Sequence, residues 1–80
     1  MNTRQSVAHR LMKLCDERRL ALNALAHLSA VPPSTLKSII NGDSKSPGIV
    51  TIQLLCEGLG ITLHEFFDDD SFKTDEQEDI

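Results

Sequence analysis

The sequence predicts an all-α domain of five short helices, and three observations carry that expectation. Apolar residues recur at three- and four-residue intervals in successive segments, the spacing that builds one buried helical face. The adjacent Pro32 and Pro33 break the longest of these regions in two, since a proline inside a helix clashes with the carbonyl four residues back. Gly42, Gly60 and Thr62 stand where helices would stop and start. Eighty residues bury only a modest core, so a compact helical bundle or a dimer is the expected route to stability.

Taken in order, Asn2 to Gln5 reads as a frayed lead-in to a first helix from about Gln5 to Arg18. Val7, Leu11, Leu14 and Cys15 form its apolar stripe, with Arg10, Lys13, Asp16 and Glu17 pointing elsewhere. Arg18 and Arg19 follow at its C-terminal end, where positive charge suits the helix dipole. A second helix spans Leu22 to Ser29, with Ala21 in the capping position. Alanine there costs roughly 1 kcal/mol against a good cap, so this helix must lean on packing. Pro32 biases Val31 away from helical geometry. Proline is well tolerated in a first helical turn, so a third helix runs from Pro33 to Asn41 and stops at Gly42. The polar run from Asp43 to Pro47 is a surface loop. A fourth helix covers Ile49 to Leu59, with Ile49, Ile52, Leu55, Cys56 and Leu59 on one side. Thr62 and Glu65 fit a capping box that opens a short fifth helix, where Leu63, Phe66 and Phe67 close the core.

Charge divides the chain. Residues 1–64 carry Arg4, Arg10, Lys13, Arg18, Arg19, Lys37 and Lys45 against Asp16, Glu17, Asp43 and Glu57, a net +3. Residues 65–80 carry a net −7, so the chain total of −4 averages a mildly basic domain with an acidic end. An acidic total therefore does not exclude a polyanionic partner, because the local field decides. The expected division is a domain over 1–67 and a flexible acidic tail over 68–80. That tail is expected to be a solubilising end; the sharper alternative is that it competes with a polyanion for the basic face or docks on a basic partner.

Several function classes drop out. No run of about 18 apolar residues suggests a membrane span, and Met1 to Arg10 holds no signal-peptide core. Cys15 and Cys56, each within a helical pattern, are expected as free buried thiols in a reducing cytoplasm rather than as a disulfide. His9, His27 and His64 do not share metal-ligand spacing with the cysteines. No spacing suggests a nucleophile and base, and so small a domain spares no deep substrate pocket. Neither an enzyme, a cofactor nor a small-molecule substrate is expected.

The two helices joined by a tight turn over Leu20 to Gly42 make a helix-turn-helix, which points to nucleic acid. Around it, Leu20, Leu25, Ala26, Val31, Ser34, Thr35, Leu36, Ile39, Asn41, Gly42, Pro47, Thr51, Ile52, Leu55, Leu59, Gly60 and Ile61 stand in a shared register. With these residues the chain resembles the Cro/cI-type (XRE-type) helix-turn-helix family, over about Val7 to Phe67. The resemblance implies a lambda-repressor-like five-helix DNA-binding domain whose third helix enters the major groove. It places Pro33, Ser34 and Ser38 where phage repressors read bases, with Thr35 and Lys37 on the same helix. Asn41, Lys45 and Ser46 fall where the phosphate backbone passes, and the start of the fourth helix near Gly48 offers backbone N–H groups to a phosphate.

Three departures accompany the match. Leu22 stands where the family favours Gln, and Ala30 where the turn usually has Gly. Cys15 and Ile40 replace an Arg–Glu pair, an exchange of a buried ion pair for packing that can be neutral or stabilising. Ser34, Lys37, Ser38 and Asn41 share one helical face, yet serine hydroxyls read bases ambiguously and no Arg or Gln makes a bidentate contact. Phosphate contacts and DNA shape are expected to carry much of the affinity.

The resulting expectation is a cytoplasmic, non-enzymatic transcriptional regulator, a repressor, binding double-stranded DNA as a homodimer. The dimer contact is expected near the fifth helix and Phe66, Phe67 or Phe72. The alternative is a protein-interaction module on the same fold, antitoxin-like or anti-repressor, with weak or no DNA binding.

Overall fold

The computed structural model describes residues 2–43 and 46–73. Its helices are α1 (Thr3–Glu17), α2 (Leu22–Ser29), α3 (Pro33–Ile40), α4 (Ile49–Leu59) and α5 (Leu63–Phe67), followed by a 3-10 turn at Asp70–Phe72. α1 begins earlier than expected. The Gln5 N–H donates to Asn2 Oδ1 at 2.9 Å and the Asn2 N–H donates to Gln5 Oε1 at 2.9 Å, so the expected frayed lead-in is a capping box.

The first four helices end alike. In each, an N–H two or three residues past the helix reaches back five residues: Leu20 to Cys15 O, Val31 to Ala26 O, Asp43 to Ser38 O and Ile61 to Cys56 O, at 2.9 to 3.1 Å. This closure needs one residue in the left-handed region. Gly42 and Gly60 meet that need at φ 79° and 75°, whereas Arg19 and Ala30 do so as non-glycine residues at φ 50° and 58°.

The core is built as the apolar spacing implied. Val7, Leu11, Leu14 and Cys15 of α1 pack with Leu25, Ala26, Val31, Leu36, Ile39, Ile52, Leu55, Cys56, Leu59 and Phe66, while Leu20, Leu22 and Ile40 flank them. α2 rests mainly on α4, and α1 on α3. Cys15 and Ile40 thus contribute to packing, Cys15 within the core and Ile40 at its edge. Burial pushes both the Cys15 and Cys56 thiols up from their ordinary range, which leaves them poor nucleophiles at neutral pH.

Packing continues past residue 67, where the domain was expected to end. Asp69 is buried, and its side chain lies between α1 and the 3-10 turn. Lys13 Nζ donates to Asp69 Oδ1 at 3.1 Å, and Arg10 Nη1 lies 3.4 Å from the same oxygen. The Ser71 hydroxyl donates to Asp69 Oδ2 at 2.7 Å, and the Ser6 hydroxyl donates to Ser71 O at 2.9 Å. Phe72 completes a ring cluster, its centroid 5.0 Å from Phe67 and 6.2 Å from Phe66. The acidic segment therefore begins as part of the fold, because Asp69 has two cations on α1 to meet. The rest of the expected tail, from 74, lies outside the described residues.

Candidate nucleic-acid interface

The face expected to read DNA is formed by α3. Leu36 and Ile39 are buried beneath it and Ile40 is half-buried, which turns the other side of this eight-residue helix outward. Pro33, Ser34, Thr35, Lys37 and Asn41 are exposed there, and Ser38 is half-buried. Ser46 is exposed in the loop before α4, and Lys45 lies outside the described residues. The structure thus brings Pro33, Ser34, Lys37, Ser38 and Asn41 to one end-to-end surface of a single helix.

Three of the helix starts share a chemical feature. Ala21, Pro32 and Gly48 precede α2, α3 and α4, and none supplies a side-chain hydrogen bond to the helix it opens. α1 and α5, by contrast, both begin with reciprocal capping boxes, from Asn2 and Thr62. An uncapped helix start presents backbone N–H groups and the positive end of the dipole, the arrangement that accepts an oxyanion. The α2 start was legible in Ala21, which reads as a stability cost in the sequence alone; its other meaning needs the neighbouring starts beside it.

Leu22, the first residue of α2, is half-buried against the core and offers no polar group at the start of that helix. Arg19 is exposed at the turn leading into that helix. Arg10 and Lys13 are committed elsewhere. Arg10 Nε donates to Phe66 O and Nη2 to Glu65 O, each at 2.8 Å, and both side chains meet Asp69. The basic character of the first 64 residues is thereby trimmed on the α1–α5 side.

Among the described residues no three His, Cys, Asp or Glu side chains gather as a metal site. No helix among them is long and apolar enough to cross a membrane.

A bundle in which two helices meet across a left-handed turn, the second with an exposed polar face, defines a helix-turn-helix DNA-binding domain. More closely, the chain belongs to the Cro/C1-type HTH DNA-binding domain family, whose model matches residues 10–71. It is similar to the crystal structure of the prophage Lp1 protein 11, with 36% identity and a TM-score of 0.81, covering 92% of this chain and 99% of that one. It is also similar to an HTH_3 family transcriptional regulator from Vibrio cholerae, with 34% identity and a TM-score of 0.77 over 85% of this chain. This chain spans only 38% of that regulator. Among curated proteins, none matches the chain.

Proposed function

We propose that this DNA-binding domain acts in the cytoplasm as a sequence-specific transcriptional repressor, seating α3 in the major groove. The observation that carries the reading is the exposed polar face of α3, in a helix-turn-helix whose α2, α3 and α4 all begin without a side-chain cap. The face supplies Pro33, Ser34, Thr35 and Ser38 to base edges. Lys37, Asn41, Lys45, Ser46 and the backbone N–H groups meet phosphates. Bound over a promoter, such a domain excludes polymerase.

A single domain offers few base contacts, so a homodimer on a pseudo-palindromic site is the expected working form. Phe66 is fully buried and cannot supply that contact. Exposed Ile49 and Val50, beside a shallow groove lined by Leu63 and Phe67, form the better surface. A protein-interaction module on the same fold, antitoxin-like or anti-repressor, is favoured by one observation. Leu22 gives up the polar contact at the start of α2 and packs inward instead.

Binding to random duplex DNA at two salt concentrations separates the two readings. A DNA reader with several phosphate contacts loses affinity steeply as salt rises. No binding even at low salt overturns the DNA reading in favour of the interaction module.

A further inference from the structure

The leading end of α3 is apolar. Pro32 precedes the helix at φ −57° and Pro33 is its first residue, and both rings are exposed. Neither proline has a backbone N–H, and neither ring carries a polar atom, so these two residues donate no hydrogen bond to a phosphate or a base; the free N–H groups of the helix start belong to the residues after them. The polar groups start one residue later, at exposed Ser34 and Thr35.

The major groove offers such a corner one natural apolar partner. Of the four bases, only thymine displays a methyl group there; every other edge presents hydrogen-bond donors or acceptors. A proline ring pressed on those polar edges would strip their water and return nothing, and an unmade hydrogen bond is costly. Against a thymine C5-methyl the same ring excludes water from two apolar surfaces. Resting on the proposed seat of α3 in the major groove, we propose that Pro33 is a specificity-determining residue that selects thymine through its methyl group. Low hydrogen-bonding capacity at the front of the helix is then a means of selection. Thymine is recognised there by shape and hydration, while Ser34 and Ser38 tolerate more than one base.

The test uses the full chain and a duplex selected by it from a random library. Each thymine of the selected duplex is replaced singly by deoxyuridine, which removes the methyl and leaves the pairing unchanged. Loss of one buried methyl predicts about a fourfold drop in affinity at one thymine per half-site. Pro33→Ala, whose folding is checked by circular dichroism, binds the thymine and deoxyuridine duplexes alike. If every deoxyuridine duplex binds the unaltered chain as tightly as its parent, with the salt dependence intact, the methyl proposal fails and the major-groove reading stands. If no duplex is enriched and none binds at low salt, both fall together.

Discussion

Gly58 of α4 lies directly against Ser29 of α2: a Cβ on Gly58 would sit 3.0 Å from Ser29 Cβ, 3.1 Å from its nitrogen and 3.2 Å from its Cα. This is where the helix before the turn meets its support. The Ser29 hydroxyl donates to Leu25 O at 2.7 Å, so it is satisfied within its own helix and leaves the approach of the two backbones unobstructed. The orientation of α2, and through the turn that of α3, depends on this close contact.

Gly58→Ala therefore has two opposed effects. At Gly58, the penultimate residue of α4, alanine gains at most about 1 kcal/mol of helix propensity over glycine. The added methyl meets backbone atoms that cannot rotate away, and overpacking of this kind costs about 1–3 kcal/mol. The clash is expected to win, lowering the urea midpoint. A stabilised Gly58→Ala variant would show that α2 can shift freely on α4.

Ala30 tests the turn itself. Its φ of 58° places an alanine in the left-handed region, at a cost of roughly 1–2 kcal/mol for a residue with a Cβ. Glycine removes that cost but loses more chain entropy on folding, by about 0.5–1 kcal/mol. Ala30→Gly should stabilise the domain by about 0.5–1 kcal/mol. For a chain of this size that corresponds to a rise of several degrees in Tm.

The helices and the core were legible because their signals are local and repeat. Val7, Leu11 and Leu14, or Leu36 and Ile39, announce a buried face by spacing alone. Pro33 and Gly42 announce where α3 starts and ends. The Asn2–Gln5 box uses the same chemistry as Thr62–Glu65 but stands at the chain's edge, where fraying is the ordinary expectation. Asp69 was illegible for a different reason. Among three consecutive aspartates nothing local marks the middle one for burial, and its partners Arg10 and Lys13 lie some 56 to 59 residues away. The face of α3 was legible as exposed and polar; the shared lack of caps on α2, α3 and α4 acquires meaning only with the helices assembled.

Asp69 gives the acid limb of stability. The Ser71 hydroxyl, followed by Lys13 and the Ser71 backbone N–H, holds its carboxyl well below the usual carboxylate range despite the opposing effect of burial. A carboxyl depressed on folding contributes stability that is present above its unfolded value, about pH 3.9, and is lost as pH falls through the folded value. Asp69→Asn should cost about 1–3 kcal/mol at pH 7, the range for a buried polar group deprived of a charged partner. It should also flatten the fall in stability below about pH 4. Urea melts from pH 7 to 3 read both. Parallel curves for the two proteins would mean that folding leaves the affinity of the Asp69 carboxyl for its proton unchanged.

Lys37 separates attraction to phosphate from sequence reading. It is exposed on α3, with Ser34 and Asn41 one turn to either side. An ammonium on a flexible stem meets phosphates as a point charge. Lys37→Ala should weaken binding about equally on selected and random duplexes, lowering the slope of log affinity against log salt by about 1. A base-reading role would instead reduce the ratio of selected to random affinity and leave the slope nearly unchanged. An unaltered affinity and slope would place α3 outside the groove, since a lysine at the centre of a seated reading helix cannot be electrostatically silent.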